Sequence, residues 1–198
     1  MKKKGMLKLG VFCVIVSLVS IFTIPANALT QSESVSITPI QQARSNWCWA
    51  ACAEMSAKNV YPATSRTQYS VVTYIKGKST INKTGTLSEQ ATGSKYAAFD
   101  KKNYGSTSSR WTFSKIAQSL SKGYAVQAGG GHYSETGTRN GGHMVVIYGT
   151  VFVDNNSCTN YYISYADPWD KTTHSCTYDA FCDGTYNGRR FDCLVYVK

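Results

Sequence analysis

The sequence predicts an α+β fold in which a helical first half is followed by a sheet-forming second half. Up to Gly123, good helix formers and helix-capping residues dominate the regular segments. From Tyr124 onward the segments are short, rich in β-branched and aromatic residues, and bounded by Gly, Asn or Asp, which is typical of strands. Helices first and strands second favour two adjoining halves, with a cleft between them as the expected position of a site.

The first 28 residues have the features of a secretory signal peptide. Four lysines within the first eight residues form a basic start, residues 9–24 are apolar, and Ala26-Asn27-Ala28 is a small-x-small cleavage site. The apolar run is shorter than the roughly 20 residues that a membrane-spanning helix needs. We therefore expect secretion after cleavage near Ala28, with no stable membrane association.

The chain that remains has about 170 residues, which is enough for one domain with a substantial core. Residues 29–38 are a short polar N-terminal segment, either a frayed terminus or the stub of a propeptide, and residues 39–198 form the domain. The formal net charge is +10, and four of these charges belong to lysines of the leader. The other basic residues are scattered, which predicts a soluble secreted monomer without a nucleic-acid partner.

Four helices are predicted in the first half. The first is the Ala-rich run Trp49–Lys58. Residues 65–67 cap a second helix that ends at Gly77, and a third covers Leu87–Phe99. The fourth begins after Thr112, and its apolar residues at i, i+3, i+4 and i+7 precede a C′ glycine: Phe113, Ile116, Ala117, Leu120 and Gly123.

Five strands are predicted in the second half, at Tyr124–Ala128, Met144–Tyr148, Tyr161–Tyr165, Thr177–Phe181 and Phe191–Val197. They favour a twisted antiparallel sheet or half-barrel. Two glycine clusters, residues 129–131 and 141–142, bracket a polar loop at residues 132–140 and are typical of turns. The other interpretation is that Gly142 lets the backbone lie close to a substrate. Neither cluster has the strand–Gly-x-Gly-x-x-Gly–helix order of a dinucleotide site.

Cys48 is the candidate nucleophile because it lies between two tryptophans at the predicted start of the first helix. The positive end of the helix dipole favours a thiolate at this position. Gln42, six residues upstream, can fold back and form an oxyanion hole with the backbone N–H of Cys48. Cys52 lies one helical turn deeper, where we expect it to pack as a small buried hydrophobic residue.

His143 and Asp167 are the candidate base and its orienting carboxylate. His143 directly precedes an apolar strand, and its order after Cys48 and before Asp167 favours the role of base over that of a hydrogen-bonded core histidine. Pro168 keeps Asp167 extended, so the carboxylate can accept a hydrogen bond from the ring of His143, although the Asp-Pro pair is also a common turn. Trp169 follows and can shield the pair from water.

Rival assignments exist for both roles. His132, in the Gly-rich loop, is the rival base, whereas His174 lies among polar residues and is expected to be exposed. Asp170 is the rival carboxylate. No Cys-x2-Cys pair faces a His-x3-5-His pair, so we predict neither a structural zinc site nor any other metal or cofactor.

Gln42, Cys48-Trp49, Gly142-His143 and Asp167-Pro168, in this order, resemble the papain-like cysteine proteases. The resemblance is greatest to compact bacterial branches, namely the staphopains, the bacteriocin-processing peptidases and a plant-pathogen avirulence protease. It covers roughly residues 39–169. The chain differs from papain in two ways: it has Asp167 where papain has Asn, and it lacks the Cys-Gly-Ser-Cys-Trp pattern of papain.

This resemblance implies a papain-like fold, with a helical half that carries the cysteine and a sheet half that carries the histidine and aspartate. It also implies a Cys-His-Asp triad with a Gln oxyanion hole. Three neighbours of these residues are candidate substrate-cleft residues: Trp49, Gly142 and Trp169.

Six cysteines remain outside the leader, namely Cys48, Cys52, Cys158, Cys176, Cys182 and Cys193. If Cys48 stays free, we expect two disulfides among the four that follow His143, because secreted proteins meet an oxidising environment. Three connectivities are then open. The alternative is that all six thiols pair and that the protein is not catalytic.

The sequence therefore predicts a secreted cysteine endopeptidase that hydrolyses protein or peptide substrates through a covalent acyl-enzyme. One alternative is an acyl transferase or amidase that uses the same Cys-His dyad. The other is a non-catalytic, disulfide-stapled binding or toxin-like module.

Overall fold

The computed structural model describes residues 29–155, 158–185 and 188–198. The predicted signal peptide, residues 1–28, lies outside the described residues. The elements follow in the order β1 Leu29–Ser34, α1 Cys48–Val60, α2 Gln68–Lys76, α3 Leu87–Ala97, β2 Tyr104–Thr107, α4 Phe113–Ser121, β3 Val126–Tyr133, β4 Arg139–Asn155, β5 Cys158–Asp167, β6 Thr172–Thr177, α5 Tyr178–Asp183 and β7 Arg190–Val197. This arrangement of helices and antiparallel strands confirms the predicted α+β class.

One antiparallel sheet runs through the molecule in the order β2-β7-β3-β4-β5-β6. The long strand β4 pairs with β3 through residues 139–147 and with β1 through residues 149–154. The first described residue, Leu29, is opposite Asp154. Residues 29–34 of the polar N-terminal segment therefore form a paired strand rather than a frayed terminus, and the propeptide interpretation stays a prediction.

Two apolar cores lie on opposite faces of this sheet. On one face α1, α2 and α3 pack with side chains such as Trp49, Met55 and Val72 against Val146 and Val195. On the other face, α4 and α5 pack against the strands and form a second core. Its buried side chains include Ile116, Leu120 and Phe181 from the helices and Ile147, Ile163 and Leu194 from the strands. The sheet is therefore covered on both sides, and the helix that begins at Cys48 is buried along most of its length.

The four predicted helices are all present, and local chemistry explains their ends. Thr86 and Glu89 form a reciprocal capping box at the start of α3. Thr112 accepts a hydrogen bond from the backbone N–H of Lys115 at the start of α4. Gly77, which ends α2, and Gly123, just past the C-cap of α4, have positive φ angles of 82° and 86°.

One predicted strand is wrong, because residues 177–181 belong mainly to a helix. Thr177 is the N-cap of α5, and its hydroxyl accepts a hydrogen bond from the N–H of Ala180. Tyr178, Phe181 and Cys182 recur at i, i+3 and i+4, so one face of the short helix packs on the second core. The strand in this region is β6, which ends at Thr177.

The glycine clusters are parts of strands rather than turns. Residues 129–131 lie within β3, and Gly131 is opposite Gly142 of β4. The predicted polar loop at residues 132–140 shrinks to the turn at residues 134–138. Strands β1 and β2 were not predicted, since their sequences are polar. Within the described ranges, no helix is both long enough and apolar enough to span a membrane.

Candidate active site

Cys48 is the first residue of α1, and a tightly held turn places it there. The N–H of Trp47 donates to the carbonyl of Arg44 at 3.0 Å, which closes the turn before the helix. The indoles of Trp47 and Trp49 are buried and donate to the carbonyls of Ile81 and Lys83. The sequence surrounds Cys48 with tryptophans because these rings bury the helix start and anchor the facing loop.

The backbone N–H of Cys48 has no hydrogen-bond partner among the described residues. This is expected at the first turn of a helix, where the N–H groups lack intrahelical acceptors. A free N–H beside the sulfur can therefore bind an anionic oxygen that forms there.

His143 and Asp167 come together because β4 and β5 are antiparallel neighbours. Val146 is opposite Ala166, which brings the start of the apolar run of β4 and the end of β5 to the same region of the sheet. His143 Nε2 donates to Asp167 Oδ1 at 2.5 Å. The side chains of both residues are at least nine-tenths buried, with exposed fractions of 7% and 10%. Low solvent access strengthens this charge-assisted hydrogen bond.

Asp167 and Cys48 together favour the protonated form of the His143 imidazole. Burial lowers the pKa of His143, but the hydrogen bonds and negative charges of Asp167 and Cys48 outweigh it and raise the pKa from 6.5 to about 9. Since Nε2 faces the carboxylate, Nδ1 is the ring nitrogen left for the sulfur. An imidazolium beside a thiol stabilises the thiolate, which is the nucleophilic form.

Asp167 has further partners that fix its orientation. Its Oδ1 accepts the backbone N–H of Trp169 at 2.8 Å. The guanidinium of Arg189 lies 3.9 Å from Oδ2, so a cation also faces the carboxylate. These contacts hold the carboxylate in the orientation that points Oδ1 at the ring of His143.

Gln42 lies beside this pair, but its side chain is already engaged. Its backbone N–H donates to the carbonyl of Pro168 at 2.7 Å, which ties the loop before α1 to the end of β5. The side-chain Nε2 donates to the carbonyls of Arg44 and Ser45 at 3.0 and 2.9 Å, while Oε1 is buried without a partner. The amide therefore stabilises the turn that leads to Cys48.

Sequence reasoning missed a buried polar network that supports this loop. Gln68 Oε1 accepts the N–H of Ala43, and Gln68 Nε2 donates to the carbonyl of Gln41, each at 2.8 Å. Glu54 accepts the N–H of Gln68 and pairs with Lys58. In the sequence, the sign of this network is Glu54, an acidic residue in an Ala-rich helix. Its structural role can be recognised only when the helix is known to be buried.

A cavity of about 580 Å³ opens beside Cys48 and His143. Trp49 forms part of one wall, and a Cβ atom on Gly85 would lie 2.6 Å from its ring, so only glycine fits there. Gly142 also lines this cavity. Trp169 stands outside this lining, 58% exposed and edge-on to His143, with 6.4 Å between the ring centroids.

The rival residues have other partners. His132 accepts a hydrogen bond from Arg189 Nε at 3.1 Å. His174 pairs with Asp170 at 3.0 Å and stacks on Tyr165. Asp170 also accepts hydrogen bonds from the backbone and side chain of Thr172. None of these residues contributes to the cavity lining found in the described part of the chain.

The six cysteines described are all free thiols, so the two expected disulfides stay a prediction. Cys52 is fully buried, and its pKa is raised by burial and by the negative charges of Cys48 and Asp167. Cys176 and Cys182 share the second core, whereas Cys158 is exposed at the far end of β5. Cys193 lines the cavity, and burial is the main cause that raises its pKa to about 12.

Across residues 29–155, 158–185 and 188–198, no cluster of three or more His, Cys, Asp or Glu side chains could hold a metal ion.

A sequence search finds no match among curated proteins. A model of the Peptidase_C39 like family matches residues 34–192, which is most of the chain and includes Gln42, Cys48, His143 and Asp167. The match confirms the predicted papain-like cysteine protease, while the resemblance to particular bacterial branches stays a prediction.

Proposed function

The chain belongs to the Peptidase_C39 like family, and we propose on this premise that it is a secreted cysteine endopeptidase with Cys48, His143 and Asp167 as its triad. The single observation that carries the proposal is the position of His143. Its ring is hydrogen-bonded to a buried carboxylate, it lines the same open cavity as the candidate nucleophile Cys48, and the charge of Cys48 acts on its pKa. This is the geometry that nucleophile, base and orienting group require.

Acylation begins when the Cys48 thiolate attacks the carbonyl carbon of a peptide bond. The new C–S bond pushes the carbonyl electron pair onto oxygen, and the free N–H of Cys48 stabilises the oxyanion. His143 then gives the proton on Nδ1 to the leaving nitrogen, the C–N bond breaks, and an amine departs. Cys48 remains as a thioester.

Deacylation uses the same groups in reverse roles. Neutral His143 takes a proton from water, and the resulting hydroxide attacks the thioester carbon. When the C–S bond breaks, the acid product leaves and Cys48 returns as a thiolate beside the imidazolium. Asp167 keeps the ring in one orientation through both steps and stabilises its positive charge.

Gln42 is the proposed second donor of the oxyanion hole. Both of its side-chain hydrogens bond to carbonyls of the turn before Cys48, so one of these bonds must be shared with or exchanged for the substrate oxygen. We therefore expect Gln42→Ala to lower kcat by about tenfold, less than the 10²–10³ that a fully preorganised donor supplies. Gln41→Ala, which removes a longer bond to the carbonyl of Trp169, is the matched control.

Export is supported by the leader-like composition of residues 1–28. The position of cleavage is tested by sequencing the N-terminus of the protein recovered from the medium of a cell that expresses the full sequence. We expect the first residue to be at or near Leu29. Retention of the leader on protein in the medium would contradict this part of the proposal.

The activity itself is tested with a mixed peptide library and three forms of the protein: wild type, Cys48→Ala and Cys158→Ala. Wild type should release new amine termini and matching new carboxyl termini, which separates hydrolysis from acyl transfer. Cys48→Ala should release none while keeping its circular dichroism spectrum, because the attacking sulfur is lost. Cys158→Ala removes an exposed thiol far from the cavity and should remain fully active. Hydrolysis by Cys48→Ala at the wild-type rate would overturn the proposal.

A further inference from the structure

The side chain of Arg139 packs over two glycines at the edge of the cavity. It is the first residue of β4, and its guanidinium covers Gly131 and Gly142, which are opposite each other in the sheet. A Cβ atom on Gly142 would lie 2.5 Å from Arg139 Nη2, and one on Gly131 would lie 2.6 Å from Arg139 Nε. Any larger residue at either position would displace the guanidinium, so these glycines give Arg139 its place.

Asp192 holds Arg139 by one edge only, and Tyr133 in turn holds Asp192. Arg139 Nε donates to Asp192 Oδ2 at 2.8 Å, and the hydroxyl of Tyr133 donates to the same oxygen at 2.6 Å. Among the described residues, neither Nη1 nor Nη2 of Arg139 has a hydrogen-bond partner. The side chain is 45% exposed, so a pair of parallel donors faces the cavity.

The charges near Arg139 favour an anion. Asp192 is shared between Arg139 and Tyr133, and Arg190 lies over the ring of Tyr133 at 5.4 Å. Arg189, the residue before Arg190, carries a further positive charge and faces Asp167. The free oxygen of Asp192, Oδ1, is buried, whereas the guanidinium of Arg139 is half exposed. A substrate would therefore meet the cation first.

We infer that Arg139 selects substrates with a carboxylate side chain, Glu or Asp, close to the scissile bond. Its two Nη groups match the two oxygens of a carboxylate, and this bidentate geometry is what distinguishes arginine from lysine in anion recognition. The inference rests on the proposed function in that Cys48 and His143 line the same cavity as Arg139. It names the substrate class, which the triad alone leaves undefined.

The test uses a peptide library in which one position at a time is fixed as Glu, Gln or Lys, with hydrolysis measured as kcat/KM. At one position near the cleavage site, wild type should prefer Glu to Gln by about tenfold or more, since a hydrogen bond to a charged group contributes about 1.5–3 kcal/mol. Arg139→Gln should bring this ratio close to one, and Arg139→Glu should make Lys the preferred residue. Arg110→Gln removes an exposed arginine outside the cavity lining and should keep the wild-type ratio.

Binding to the Cys48→Ala form separates this inference from the proposed peptidase activity. Fluorescent versions of the same pools should bind Cys48→Ala more tightly with Glu than with Gln, and the added Arg139→Gln change should remove the difference. If wild type hydrolyses nothing but this binding preference persists, the peptidase proposal fails and the inference stands. Equal affinity for the Glu and Gln pools, or tighter binding of the Lys pool through Asp192, would overturn the inference.

Discussion

Two histidine–aspartate pairs lie close together in this molecule, and their different surroundings show how the fold separates one from the other. His143 and Asp167 are buried and joined by a hydrogen bond of 2.5 Å, next to Cys48. His174 and Asp170 use the same residue types on the β5–β6 hairpin, but their side chains are 28% and 41% exposed and their bond is 3.0 Å long. Of the two pairs, only the first adjoins the candidate nucleophile Cys48 and contributes to the lining of the cavity of about 580 Å³.

Burial changes what each pair can do. In the buried pair, water cannot screen the carboxylate, so its charge and that of Cys48 hold the imidazole protonated well above its usual pKa. In the exposed pair, slight burial raises the pKa of Asp170, but hydrogen bonds from Thr172 and His174 outweigh it and lower the pKa. The exposed pair closes a turn, and solvent weakens its electrostatic contribution.

The largest test of this difference is to remove each histidine in turn. His143→Ala should reduce kcat/KM on the order of 10⁴-fold or more, because thiolate formation and protonation of the leaving group both depend on the ring. His174→Ala should stay within about twofold of wild type, since within the described part of the chain its ring contacts the turn and Tyr165 and no residue of the candidate site. His132→Ala is a second control. Equal losses in His143→Ala and His174→Ala would break the comparison.

Removing each aspartate should have the next largest effect. Asp167→Ala should lower kcat by about 10²- to 10⁴-fold, because nothing then fixes the imidazole. Asp167→Asn should lose less, since an amide oxygen still accepts the Nε2–H of His143. Asp170→Ala should be nearly neutral. Steady-state kinetics on a library-derived peptide check all three, and an impaired Asp170→Ala beside an unaffected Asp167→Ala would reverse the assignment.

The pH dependence separates the pairs by a smaller but more specific effect. The pKa of His143 is raised from 6.5 to about 9, so the imidazolium is still the main form between these two pH values. It is lost as the pH rises through about 9. The kcat/KM profile should therefore fall on its basic side near pH 9. Asp167→Asn removes a stabilising charge and should move this limb down by about one unit or more, whereas Asp170→Asn should leave it in place.

The same shift predicts a change in stability. A pKa that is higher in the folded than in the unfolded protein adds stability that is complete below about pH 6.5 and disappears as the pH rises to about 9. Urea unfolding at pH 6 and pH 9.5 should show this loss in wild type and a smaller loss in His143→Gln. A basic limb and a stability profile that are both unaffected by Asp167→Asn would contradict the link between the pair and the pKa.

Trp169 gives the smallest expected effect, since it contacts His143 without bonding to the reacting groups. Its ring is edge-on to that of His143 and more than half exposed. Trp169→Ala should lower kcat by about two- to tenfold, the size expected for losing one aromatic contact, while Trp169→Phe should recover most of the activity. Tyr69→Ala, another exposed aromatic residue, serves as a control. A loss as large as that of Asp167→Ala would mean that Trp169 does more than shield the pair.

Local patterns in the sequence were sufficient wherever a structure depends on neighbours in the chain. The capping residues Thr86 and Thr112 and the terminal glycines Gly77 and Gly123 acted as their local chemistry predicts. Local patterns failed at residues 177–181, because aromatic and threonine residues suit a buried short helix as well as a strand. The polar strands β1 and β2 were also missed, since pairing with β4 and β7 stabilises them.

By itself, the sequence determined the α+β class, the four helices of the first half and the candidate residues of a cysteine-protease site, because periodicity, capping and the order of Gln42, Cys48, His143 and Asp167 can be read along the chain. Only the tertiary structure decided which histidine–aspartate pair is buried, that Gln42 holds a turn, and that Arg139 rests on Gly131 and Gly142. These features depend on strand register and on solvent exclusion between residues far apart in sequence. Neither quantity is encoded in any short segment, since both arise when the two halves pack together.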